Sequence, residues 1–329
     1  MAGFLLRRLM SRGLLVVLAG SLAYLLAAAA LDPRAAFEGR TPRPPEAVID
    51  ARLSALNLND RTSLVDRYRV WAWSVLHGDF GRTQEGEPVN AELWRRLAVS
   101  LRLLIPGGVL GGVLGVLLGT YAAARRGRLA DRLVTGGAYL LLAVPVFVLA
   151  VLLQTIAVTV NGAVGVRVFV WVGDSTVGEP GVLGGVFDQV RHLLLPASVI
   201  ALAQVALYIR YQRALVLDVL HADFVRTARA KGLRRRSALL RHGLRTALVP
   251  MTTYFAYASG LLVLGGVFVE KAFGRHGMGE WLVDSIARGD VNAVAAIDCV
   301  AACAVVVASL LSDVLNGLLD PRVRLGAMP

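Results

Sequence analysis

The sequence predicts an all-α protein that crosses a membrane several times, and three observations carry that prediction. Of its 329 residues, 56% are hydrophobic and only 18% are charged, with a mean hydropathy of +0.61. Apolar runs of spanning length recur along the chain. The formal net charge of +12 is spread unevenly between those runs. A soluble globule carries about 25% charged and about 45–50% apolar residues. So apolar a chain is not disordered, and two cysteines exclude a disulfide scaffold. The surplus positive charge either binds an acidic partner or marks one side of a membrane.

A spanning helix needs roughly 20 mostly apolar residues. Six stretches qualify, near 13–31, 99–122, 133–160, 193–216, 247–269 and 293–316. The third is long enough to tilt or to leave the membrane in part. The first also fits a cleavable signal peptide, because Arg7, Arg8 and Arg12 precede an apolar run ending in Ala27–Ala30. Either way the chain emerges on the far side near Leu31. With the N-terminus inside, the segments 1–12, 123–132, 213–246 and 317–329 sum to +14, and 32–98, 161–192 and 270–292 sum to −2. Arg102, Arg210, Asp298 and Asp313 lie in or at the ends of spans and cancel. Basic residues accumulate on the cytoplasmic side, so both termini are expected there.

The segment 32–98 is the longest outside the spans. Pro42, Pro44 and Pro45 suggest an extended start. Val48, Leu53 and Leu56 recur at roughly helical spacing over 46–57, and a second helix is expected over 63–76. Its Tyr68, Trp71 and Trp73 suit a membrane interface. Gly78, Asp79, Phe80 and Gly81 form a turn towards the second span. No internal repeat, low-complexity tract or autonomous soluble domain is evident.

Gly107, Gly111, Gly115 and Gly119 recur every four residues in the second span. That spacing lays them along one stripe, where the missing side chains let another helix approach closely. Glycine is also simply common in membrane helices. Pro106, Pro145, Pro196 and Pro250 fall in or beside four successive spans. Such kinks suit a conduit that opens and closes, although proline is ordinary in spans.

The segment 217–250 is the most informative. Leu217, Leu220, Phe224 and Ala228 form an apolar helical stripe, Gly232 interrupts it, and Leu239, Leu240, Leu244 and Leu248 mark a second helix. Two short amphipathic helices with a glycine break make a compact knob. A basic helix lying on anionic lipid is the plainer reading. Nucleic-acid binding through the arginine run 234–236 ranks lowest, because basic loops are what a cytoplasmic face requires.

The stretch from Asp223 to Pro250 resembles the cytoplasmic loop of permease subunits of bacterial ABC importers, which carry an E-A-A-x-x-x-G type signature. Ala228 and Gly232 occupy its second alanine and its glycine. Arg226 and Thr227 replace its first two positions, and Pro250 lies further from the glycine than usual. Both departures resemble the B-subunit type of the dipeptide/oligopeptide permeases, whose usual wording is Ala-Arg-Ala-Lys-Gly-Leu, here 228–233. The resemblance covers nearly the whole chain. It includes Gly78–Leu104, His192–Pro196, the V-E-x-x-F-x-x-x-G-x-G segment at 269–279, Asp290, Asp313 and the ending Asp320-Pro321-Arg322-Val323-Arg324. The outer loop 32–60 matches least.

The resemblance implies an ABC importer permease fold in the bacterial inner membrane. Residues 1–31 would be the cytoplasmic N-terminus and first span, 32–98 an extracytoplasmic segment, and 99–329 a five-helix core with a coupling loop at 213–246. It implies a second homologous permease, two cytoplasmic ATPases, an extracytoplasmic substrate-binding protein, a peptide substrate and surrounding lipid. ATP and Mg would sit on the ATPases, and no cofactor on this chain, which has no G-x-x-x-x-G-K-[ST] loop and would not itself be an enzyme. The coupling helix would comprise Leu220, Asp223, Phe224, Arg226, Thr227, Ala228, Arg229, Ala230, Lys231, Gly232 and Leu233. Leu220 and Phe224 would pack into an ATPase cleft, Arg226, Arg229 and Lys231 would meet its rim, and Gly232 would allow a turn where a Cβ does not fit. Gly78, Asp79, Phe80, Gly81, Phe273, Gly277 and Gly279 would lie at an outer gate or contact the binding protein; their plainer role is to hold span ends.

Related importers carry nickel complexes, glutathione or other small solutes. A secondary transporter or a membrane-embedded enzyme is the alternative of a different class. A coupled transporter usually places acids at mid-membrane, whereas Asp298 and Asp313 are near span ends, and no catalytic constellation is visible. Cys299 and Cys303 share a helix face and suit packing better than a metal. The five histidines show no ligand spacing.

Overall fold

A computed structural model describes residues 2–38, 41–173 and 181–319; within it the side chains of 2–9, 181–183, 235–236, 241–242, 259 and 261–265 are outside the description. The expected ending at 320–324 lies outside the described residues. Apart from one isolated bridge, Arg82 to Pro88, the regular elements among the described residues are helices. They are α1 (Ala2–Ala30), α2 (Ala35–Glu38), α3 (Glu46–Ala55), α4 (Leu64–Leu76), α5 (Val89–Ala124), α6 (Leu129–Ala143) and α7 (Val146–Val164). Then follow α8 (Gly181–Leu220), α9 (Asp223–Ala230), α10 (Arg235–Ala238), a π-helical turn at Leu239–Gly243, α11 (Leu244–Phe273), α12 (Met278–Arg288) and α13 (Val291–Leu319).

Among the described residues, five segments are long and apolar enough to cross a membrane, namely those of α1, α5, α7, α8 and α13. The stretch 247–269 lies within the 30-residue α11. The long stretch 133–160 is not one helix. It breaks after Ala143, where Val144 turns extended (ψ 120°) before Pro145. The proline ring crowds its predecessor out of the helical region, so the spanning part is α7 alone. Pro106, Pro196 and Pro250 instead lie inside α5, α8 and α11.

The helix ends follow local chemistry. Ser63 caps α4, its Oγ accepting from the Asp66 N–H at 3.2 Å and donating to the Asp66 carboxylate at 2.6 Å. Gly165, Gly274 and Gly289, with φ of 72°, 61° and 71°, close α7, α11 and α12 in the left-handed conformation that only glycine adopts cheaply.

The chain forms two compact units. Unit 1 comprises residues 1–100 and 276–306. Its core gathers Tyr24, Ile49, Leu53, Leu58, Trp71 and Val291, with Tyr24 stacked on Trp71 at 4.4 Å between ring centres. A second cluster joins Val89, Leu93, Met278, Trp281 and Ile297. Unit 2 comprises 101–275 and 307–329. Here Leu103, Leu149, Ile200 and Phe273 share one cluster. The glycines of α5 lie against α8. A Cβ on Gly107 would stand 2.9 Å from Ile200, on Gly111 2.8 Å from the Ala201 carbonyl oxygen, and on Gly119 2.8 Å from that of Ile209; on Gly115 it would overlap Tyr208. The backbones therefore approach closely over three turns, and no other residue fits there without displacement.

Candidate functional site

The knob lies in unit 2, at the end of α8. The chain leaves α8 at Leu220, turns through His221 and Ala222, and restarts as α9. That break resets the helical register. The stripe Leu217–Leu220–Phe224–Ala228 is therefore not one continuous face, and Leu220 does not project towards a partner. It is buried with Ala123, Val216, Leu239 and Ala247. The buried face of α9 is Val225 and Ala228, packed on Ala238, Val219 and Leu233. Counting afresh from Asp223 would have found Val225.

The opposite face of α9 is solvent-exposed. It presents Asp223, Phe224, Arg226, Thr227, Arg229, Ala230 and Lys231, with Phe224 45% exposed. The Phe224 ring thus lies open on the same face as three cations, Arg226, Arg229 and Lys231. Arg226 reaches Asp223 at 3.4 Å, but both are exposed, and such a pair contributes little.

A Schellman motif closes α9. The Leu233 N–H donates to the Ala228 carbonyl at 3.2 Å and the Gly232 N–H to the Arg229 carbonyl at 3.0 Å. Gly232 has φ 92°, and a Cβ there would meet nothing within 4 Å. The glycine is required by its backbone conformation, not by lack of room, which corrects the expectation from sequence. The second helix of the knob is not short either. It runs from α10 through the π-helical turn into α11. Gly243, in that turn, leaves space for Leu239 and Val219, 3.0 and 3.1 Å from where its Cβ would be. The knob is thus continuous with the long helix α11 and packed on the end of α8.

A polar lock sits on the same helix. Asp131, in the first turn of α6, accepts from Arg213 Nε at 2.7 Å and Nη2 at 3.0 Å, and from the Gly127 N–H at 2.9 Å. The Arg213 guanidinium is the main reason its carboxyl is held down to about 2. Sequence reasoning counted both residues only as charges. An acid in the first turn of a helix was the available signal, but its partner lies 82 residues away.

The outer-segment residues separate into the two units. In unit 1, Gly78 and Gly81 take φ of 81° and 86°. The turn is fixed by Asn90, whose Oδ1 accepts from the Phe80 N–H at 2.9 Å, and by Asp79, which accepts from the Gly81 N–H at 2.9 Å. Asn292 adds donations to the carbonyls of Arg82 and Leu56 at 3.0 and 3.1 Å. Gly277 and Gly279 are buried at the start of α12. In unit 2, Phe273 is fully enclosed. Phe273, Gly277 and Gly279 are therefore interior here rather than surface contacts, because each closes or opens a helix against its own unit's core. Asp290, also in unit 1, accepts from the backbone N–H groups of Gln84 and Ala293 at 2.9 and 3.1 Å. Burial pushes its carboxyl above the usual range.

The model of one family, described as binding-protein-dependent transport system inner membrane component, matches residues 115–325. The chain belongs to that family. It is a multi-pass membrane protein. The matched region carries the α5 glycines from Gly115 onward, α8, the whole knob and α13. The oligopeptide transport system permease protein OppB of Mycobacterium tuberculosis is 51% identical, over 98% of this chain and 99% of that one. The oligopeptide transport system permease protein AppB of Bacillus subtilis is 32% identical over 98% and 100%. The dipeptide transport system permease protein DppB of Escherichia coli is 30% identical over 78% and 80%.

Proposed function

We propose that this chain is the membrane-spanning permease subunit of an ATP-driven importer of di- or oligopeptides, with both termini in the cytoplasm. The observation that carries the reading is the 51% identity, over nearly the full length of both chains, to an oligopeptide permease. The exposed face of α9 gives it a mechanism. Phe224 enters an apolar cleft of a cytoplasmic ATPase, and Arg226, Arg229 and Lys231 meet its rim. Val225, Ala228 and Leu220 hold the knob to α8 and α11, so movement of the ATPases is transmitted to the spans without loss in a flexible joint. The free energy comes from ATP and Mg on those ATPases, and this chain catalyses nothing. A second permease completes the translocation path, and an extracytoplasmic binding protein delivers the peptide.

The test is uptake of labelled peptides of two to six residues by cells lacking this chain and by cells carrying Phe224→Ala with Arg229→Ala. Loss of uptake in the first, and a fall of about tenfold or more with an intact permease in the second, is expected, as for loss of an interface anchor. Undiminished uptake of every peptide in the deletion strain removes the substrate assignment. Full uptake by the double variant removes α9 as the coupling helix.

A further inference from the structure

Arg67, on the inward side of α4 in unit 1, is 4% exposed. Its Nε and Nη2 are buried and make no well-aligned hydrogen bond. No carboxylate among the described residues forms an ion pair with it. The Tyr24 hydroxyl is its hydrogen-bonding and electrostatic neighbour. That hydroxyl and the indole N–H of Trp71, which stacks on Tyr24, are likewise buried without a well-aligned hydrogen bond. Among the described residues, the interior behind Arg67 thus offers it a hydroxyl but no anion. A buried charge in that state is costly unless something else satisfies it.

Arg67 lines a cleft of about 390 Å³ at the end of α1. One wall is apolar, formed by Ala28, Leu31 and Leu64. The other carries Asp32, Arg34 and Asp60. Arg34 is already committed, its Nε 2.6 Å from Asp60 and its Nη1 3.1 Å from Glu46. The two helices that frame the cleft expose apolar faces. On α1 these are Leu15, Leu18, Leu22 and Leu26, and on α4 Val65, Trp73 and Leu76. Such a setting, with a spanning helix ending beside an amphipathic helix that bears an exposed tryptophan, belongs to the boundary between hydrocarbon and headgroups.

We propose that this cleft binds the headgroup of a membrane phospholipid, its phosphodiester held by the Arg67 guanidinium and its apolar part lying along the ends of α1 and α4. A guanidinium presents a planar fork of donors that matches phosphate oxygens. Asp32 and Asp60 oppose a doubly charged free phosphate. They favour a single negative charge, best one carrying an ammonium group, as in phosphatidylethanolamine.

The experiment uses the full-length chain in detergent, stripped of lipid, with thermal unfolding followed alone and with added phosphatidylethanolamine, phosphatidylglycerol or inorganic phosphate. Phosphatidylethanolamine should raise the midpoint most, and Arg67→Met should weaken its apparent affinity about tenfold or more. Without lipid, Arg67→Met should be at least as stable as the parent, because an uncompensated buried charge has gone; a merely structural arginine would give the opposite. An unchanged lipid-induced shift in Arg67→Met overturns the proposal. The full shift with inorganic phosphate alone overturns the lipid source. If Arg67→Met does not fold, Arg67→Lys keeps the charge and loses the fork. A reduced lipid shift then supports the assignment, and an unchanged one overturns it.

Discussion

The knob of unit 2 and the segment 32–98 of unit 1 hold their charges in opposite ways. In unit 1 the arginines are largely consumed within the fold. Arg34 gathers Glu46, Asp50 and Asp60, and Arg61 shares Asp50. In the knob, Arg226 has one weak exposed pair, and α9 packs inward through the apolar Val225 and Ala228. The outer segment is thus held largely by its own polar contacts, Arg67 apart. A segment that keeps its cations open is stabilised from beneath and leaves its upper face free to be recognised. The described cations of α9 therefore stay open to solvent, whereas several of those in the outer segment are paired.

The strongest way to break this contrast is to disturb the helix that carries the knob. Gly115→Leu should cost about 3 kcal/mol, the upper range for overpacking, because its Cβ would overlap Tyr208 of α8. The thermal midpoint of the purified chain measures it, and a fall well under half that size would mean the helices can part cheaply. Next comes Asp131→Asn. With its carboxyl held down to about 2 against an ordinary 3.8, Asp131 contributes about 2 kcal/mol at neutral pH. A depressed acid stabilises above its ordinary value and ceases to do so as pH falls towards 2. The variant should therefore be less stable at neutral pH and lose less on acidification below about 4.

Asp290 in unit 1 should behave in the opposite sense. Its carboxyl is raised by burial, so its contribution is fullest below the ordinary value and is lost as pH rises through the raised one. Asp290→Asn should flatten that part of the stability profile and lower stability by about 1–2 kcal/mol, since one of two accepting oxygens is gone. Matching pH profiles for the Asp131 and Asp290 variants would contradict the opposed environments. The smallest effect belongs to Gly232→Ala, about 1 kcal/mol from the left-handed backbone alone. Gly232→Asn should cost less, because asparagine tolerates that conformation. Equal, large losses for both would mean that space, not conformation, decides this position.

Much of the architecture was legible because helices are local. The helices at 46–55 and 64–76 lie where they were expected, over 46–57 and 63–76, and the α5 stripe follows from a strict period of four. The knob was legible as a place but not as a surface. Its apolar spacing ran on through His221, whereas the chain breaks there, so Leu220 faces inward and Val225 is the buried residue of α9. The start of α5 at Val89, ten residues before the apolar run, was hidden because Glu92, Arg95 and Arg96 pair with one another on a solvated turn. Hydropathy sees the membrane, not the helix.

The sequence by itself determined the class of protein, the asymmetry of charge along the chain and the location of the knob. Each depends on composition or on a period within one helix. The tertiary structure alone decided which polar residues meet. Asp131 and Arg213 are 82 residues apart, and Gln84 and Asp290 206 apart, distances over which no local pattern constrains pairing. It also decided which do not meet. Nothing in the neighbourhood of Arg67 along the chain marks it as a charge folded inward without a counterion, because an unfilled partnership exists only once the surrounding side chains have been put in place.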